Sequence, residues 1–126
     1  MNIEETKFSS GLTVVTADLP GFETAGVAAV VGTGMTAETD GENGLAHFLE
    51  HMAFKGTTNR SALDISRQIE VLGSNINAST SNETTSYYAT GLAKHLPAAV
   101  AIIGDVLTNS LLQPHDIEME RGVILQ

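Results

Sequence analysis

Cysteine is absent from the 126 residues, so disulfides and thiolate metal ligands are excluded, and any bound metal must be held by His, Asp or Glu. Positive charge is scarce as well. Six Lys and Arg stand against fifteen Asp and Glu, a formal charge of −9, which argues against a nucleic-acid partner and favours basic or neutral ones. No apolar run approaches the roughly 20 residues that a membrane helix needs, so no membrane span is expected. The opening MNIEETKFSSG is acidic and polar, unlike a secretory signal or an Arg-rich transit peptide. These absences lead to the expectation of a soluble, cytoplasmic protein, with periplasm and organelles left open. Hydrophobic residues make up 42% of the chain, enough to build one core in a domain of this length.

Hydrophobic periodicity and turn residues divide the chain into alternating patterns. Thr6 to Ser9 and Leu12 to Ala17 read as a hairpin around Gly11. TAGVAAVV, Thr24 to Val31, reads as a strand covered on both faces and therefore central in its sheet. The glycine-bearing loop Gly32 to Gly44 lacks the Lys-Ser/Thr of a phosphate cradle. Glu42 to Phe54 follows a helical period. A second helix spans Ala62 to Leu72, with Ser61 as its N-cap and Gly73 at its end. Ser74 to Leu92, rich in Thr, Ser, Asn and Tyr, predicts two antiparallel strands turning near Ser81-Asn82. Ala93 to Leu112 predicts a long helix with Pro97 in its first turn, and another helical pattern follows Pro114. Met35, Met52 and Met119 read as packing residues. The order of elements predicts an α+β domain with helices packed on a largely antiparallel sheet.

Two of the four histidines, His47 and His51, lie in GLAHFLEHMAFKGT, with Glu50 beside the second. On a helix that turns about 100° per residue, the two histidines are about 40° apart and Glu50 is about 60° to the other side of His47. All three share a face. Two imidazoles at i and i+4 can grip one Zn²⁺ while a neighbouring glutamate serves as general base. H-F-L-E-H has the spacing of the inverted zinc signature H-x-x-E-H. The competing reading is a solvated helix face on which Glu50 pairs with His47 at i, i+3. His95 and His115 have no partner at ligand spacing and read as surface or cap residues.

Three stretches, GLAHFLEHMAFKGT, NASTSNETTSYY and ERGVILQ, occur in that order. Together they resemble the N-terminal domain of the pitrilysin, insulinase and mitochondrial processing peptidase family, especially its bacterial processing-peptidase-like members. The resemblance runs over nearly the whole chain. It implies a zinc endopeptidase acting on unfolded peptides, with His47 and His51 as metal ligands and Glu50 as the catalytic base. It further implies a supporting role near the metal for Glu120, whose alternative is a solvated helix acid. Asn75, Ile76, Asn77, Ala78 and Ser79 would form an edge strand that receives substrate as an added strand, their alternative being an ordinary surface strand. In the family a third ligand, a glutamate, directly follows the stretch that matches Glu120 to Gln126. On this resemblance, residues 1–126 are the N-terminal part of a catalytic domain, ending before that ligand and expected to be inactive alone. The acidic balance suits basic peptides, and family architecture implies a dimer or a pairing with a second similar subunit. The alternative function is that of a non-catalytic partner subunit or interaction module of the same fold.

Overall fold

A computed structural model describes all 126 residues. Strands β1 (Asn2–Lys7) and β2 (Thr13–Asp18) form an antiparallel hairpin, turned by Gly11 at φ +92°. Then come β3 (Thr24–Val31), α1 (Leu45–Met52), α2 (Ala62–Leu72), β4 (Asn75–Thr80), β5 (Thr85–Leu92), α3 (Leu96–Asn109) and α4 (Pro114–Ile124). The antiparallel sheet and its packed helices bear out the α+β expectation.

The predicted α2 forms where its signals lie. Ser61 and Asp64 make a reciprocal capping box, and Gly73 closes the helix in the left-handed region at φ +59°. α1 is shorter than the predicted Glu42 to Phe54, because its first residues turn rather than coil and Gly44 enters the helix at φ +88°. Ala93–His95 form a 3-10 turn ahead of α3 rather than its first turn.

One expectation is overturned. The three-stranded sheet runs β3-β5-β4, so β5 is central and β3 lies at an edge. The small, Val-rich composition of β3 reflects one covered face only. Ala25, Val27 and Ala29 are half-buried, whereas Gly26, Ala28 and Val30 face outward. Register places Ala29, Tyr87 and Ala78 in one row across the sheet and Val27, Ala89 and Ile76 in the next. Small residues thus flank the buried Tyr87 ring. Over these rows lie Ile65 of α2 and Ala99, Ile102, Ile103 and Val106 of α3, which complete the core. Met52 is buried, but Met35 and Met119 are exposed, so only one of the three methionines packs inside. Every residue of β1 and β2 is exposed, and the hairpin stands apart from the three-stranded sheet.

α1 lies against β4 on one side and α4 on the other, which brings the edge strand and the ERGVILQ helix to the two flanks of the histidine pair.

Candidate metal centre

His47 and His51 occupy successive turns of α1, and their rings meet edge to face with centroids 4.5 Å apart. The Nε2 atoms are 3.0 Å apart. On its other side, His51 Nδ1 lies 2.6 Å from Glu120 Oε1. Glu120 is buried, and its second oxygen takes the Lys55 ammonium at 3.0 Å. Hydrogen bonds from Lys55 and then His51 outweigh the effect of burial and hold the Glu120 carboxyl below its usual range. An ionised carboxylate only accepts, so the proton in this contact sits on His51 Nδ1. That leaves His51 Nε2, on the far side of the ring, facing His47.

This arrangement fits a metal. Two nitrogens bound tetrahedrally to one zinc at about 2.1 Å lie about 3.4 Å apart. The 3.0 Å separation is close to that, and both atoms are reachable because His47 is exposed and His51 half-buried. The carboxylate behind His51 supplies the back-bond that metal-ligating imidazoles characteristically carry, fixing both tautomer and ring orientation. Two donors converge here and not three, since no group of three or more His, Asp or Glu side chains surrounds one point.

Glu50 is half-buried on the same helix, and no ion pair joins it to His47, so the solvated i, i+3 pair does not form. Burial first, and the Glu50 charge second, push the Tyr87 phenol up. Glu120 is 6% exposed, which excludes the solvated helix acid. Residues Asn75 to Ser79 form β4, whose outer side has no neighbouring strand. The Ala78 amide donates to Asn77 Oδ1 at 2.9 Å, and the Thr80 hydroxyl reaches the Ala46 carbonyl of α1 at 3.4 Å. His95 precedes α3 without a side-chain capping bond and His115 is exposed at the start of α4; neither joins the cluster.

Three contributors escape the sequence reading. Lys55 had a usable signal, since it follows His51 by one turn on the same side. Glu38 had none locally. It reaches back from the preceding loop, its two oxygens accepting the Gly44 and Ala46 amides at 2.8 and 2.7 Å. Asp105, buried on α3, accepts from Asn59 (2.7 Å) and Asn109 (2.9 Å) on one oxygen, and from Thr57 (2.7 Å) and Arg60 (2.6 Å) on the other. It pins the loop that follows α1.

Comparison with known proteins places these features among peptidases. The family model described as insulinase (peptidase family M16) matches residues 13–126. The β subunit of the mitochondrial-processing peptidase of Lentinula edodes is 50% identical over 123 residues, covering 98% of this chain and 26% of that protein. An uncharacterized zinc protease of Streptomyces coelicolor is 44% identical over 124 residues, 98% of this chain and 27% of that protein. The crystal structure of a protease from Helicobacter pylori superposes with a TM-score of 0.92 at 27% identity, covering 98% of this chain and 30% of that one. The chain thus spans about a quarter of the length of the curated relatives it matches.

Proposed function

The chain belongs to the insulinase family of peptidases, M16, and on that premise we propose that it is part of a zinc-dependent endopeptidase that cleaves unfolded peptides. Residues 1–126 form the N-terminal part of the catalytic domain in this reading. The observation that carries it is the convergence of His47 and His51 Nε2 atoms, with His51 back-bonded by a buried glutamate. The name of the Streptomyces relative supports the choice of zinc.

His47 and His51 would hold the ion, with a further protein ligand, by family resemblance the residue following Gln126, completing the set. Bound zinc would supply Lewis acidity toward the scissile carbonyl and toward water. Everything else falls to the chain. Glu120 keeps the His51 Nδ1 proton in place, so that Nε2 stays free to bind. Glu50 takes a proton from the attacking water on its carboxylate and returns it to the leaving amine nitrogen. The free edge of β4, from Asn75 to Ser79, pairs with the peptide backbone as an added strand, a grip that reads main chain and tolerates varied side chains.

The net charge of −9 favours basic peptides among the substrates. The Lentinula relative is named as a subunit, which supports a paired arrangement for the intact protein with a second, similar chain. No helix is long and apolar enough to cross a membrane. A cytoplasmic location is proposed; recovery from an organellar matrix on fractionation would replace it with the kind of compartment that relative's name gives.

The test uses the intact protein. One equivalent of zinc and cleavage of a basic peptide are expected, with Glu50→Gln retaining zinc but losing roughly 10²- to 10⁴-fold in cleavage rate. Absence of zinc, or unchanged cleavage in Glu50→Gln, would falsify the proposal. Zinc binding without any cleavage would favour the non-catalytic partner.

A further inference from the structure

The two histidines are held in different ways. The His51 ring is gripped by Glu120, whereas the His47 ring has no protein partner other than His51. His47 is the third residue of an eight-residue helix, in the turn whose amides have no partners within the helix and which frays first. That helix has no capping side chain at its own N-cap, which is Gly44. Glu38 takes the N-cap Gly44 amide on one carboxylate oxygen and the first-turn Ala46 amide on the other, while the Leu45 amide between them donates to the Glu42 carbonyl at 2.9 Å.

The loop that carries Glu38 is itself anchored. The Met35 and Thr36 amides donate to the Ser81 and Asn82 carbonyls at 3.1 and 2.8 Å, and the Thr36 hydroxyl donates to Asn82 at 2.7 Å. The Thr85 hydroxyl donates to the Thr33 carbonyl at 3.0 Å. Gly34 lies so close to this turn that a Cβ there would be 2.4 Å from the Ser81 carbonyl oxygen. Residues 33–36 are therefore fastened to the β4–β5 turn, and two residues later the chain grasps the first turn of α1.

We propose that Glu38 is a positioning residue for His47, a strut from the β4–β5 turn to the first turn of α1 that sets the His47 backbone relative to both His51 and the edge strand. It does for His47 through the backbone what Glu120 does for His51 through the ring. The inference rests on the reading of the histidine pair as a zinc site.

The experiment compares the intact wild-type protein with Glu38→Gln and Ser61→Ala, reading Zn²⁺ affinity by chelator competition and amide exchange at Gly44, Ala46 and His47. Glu38→Gln leaves one oxygen acceptor where two amides need one each. It is expected to speed exchange in this turn and to weaken zinc binding about tenfold, the lower end of what loss of a supporting group costs a metal site. Ser61→Ala removes the comparable cap of α2, and should lower thermal stability while leaving zinc affinity unchanged. Should Glu38→Gln not fold, Glu38→Asp, which keeps the charge and shortens the reach, is read the same way. Faster exchange at Ala46 with unaltered zinc affinity overturns the positioning role alone. So does an equal loss of affinity in Ser61→Ala. A wild-type protein that binds no zinc overturns the metal reading and this inference with it.

Discussion

Asp105→Asn is the substitution whose effect follows most directly from geometry. The carboxylate is 6% exposed and divides four donors evenly, Asn59 and Asn109 on Oδ1 and Thr57 and Arg60 on Oδ2. An amide has the same shape but only one acceptor oxygen. Whichever way it flips, its NH₂ faces two donors, so two bonds are lost, the affected donors are left unsatisfied, and the half-buried Arg60 loses its charge partner. At about 1.5–3 kcal/mol for each hydrogen bond to a charged group, the loss is about 3 kcal/mol or more. That is a large part of the 5–15 kcal/mol that typically holds a domain together.

Urea unfolding followed by circular dichroism measures it. With a slope of about 1.5 kcal/mol per molar, the midpoint should fall by about 2 M. Acid adds an independent check. Burial alone would raise the Asp105 pKa, but the bonds from Thr57, Asn59, Asn109 and Arg60 outweigh it and hold the carboxyl well below the ordinary range. A depressed pKa stabilises the fold above the unfolded value near 3.9, and that stability drains away as pH falls below it. The substituted protein should lack this component of acid sensitivity. A midpoint shift under about 0.5 M would refute the assignment of Asp105 as the anchor of the loop after α1.

Three further substitutions have expected outcomes. Glu120→Gln should weaken zinc binding of the intact protein by about 10- to 100-fold, measured by chelator competition. Because the Glu120 carboxyl is also held below its usual range, wild type should lose stability relative to Glu120→Gln as pH falls through and below the unfolded Glu pKa near 4.3, visible in thermal melts across that window. Gly34→Ala places a Cβ 2.4 Å from the Ser81 carbonyl oxygen and 2.7 Å from both the Asn82 oxygen and the Thr84 nitrogen. Backbone must move, and calorimetry should register a loss of about 1–3 kcal/mol. Ser61→Ala, which dissolves the capping box of α2, should cost about 1 kcal/mol in the same assay.

What the sequence made legible was local. α2 is bracketed by a cap and a left-handed glycine within the same dozen residues, and the shift from helical to strand composition after Gly73 marks β4 and β5. The histidine pair announces itself because a helix of fixed pitch converts i, i+4 spacing into proximity. The edge position of β3 was not legible, since composition reports how apolar a strand's surroundings are but not which strand sits beside it. Glu38 stayed hidden because capping rules look to the residue at the helix boundary, which is Gly44, whereas the cap here comes from six residues upstream. Asp105 joins residues 45 to 48 positions away in sequence, and no local pattern encodes such a meeting.

The bond between His51 and Glu120 spans 69 residues. Closing a loop of that length costs chain entropy, which the packing of the core between the two helices has to offset. On a ribosome, His47 and His51 leave the exit tunnel before Glu120 does, and until it arrives the His51 ring lacks its carboxylate partner. The orientation of the His51 ring is thereby tied to a residue far along the chain: before Glu120 is in place, nothing from α4 holds that ring.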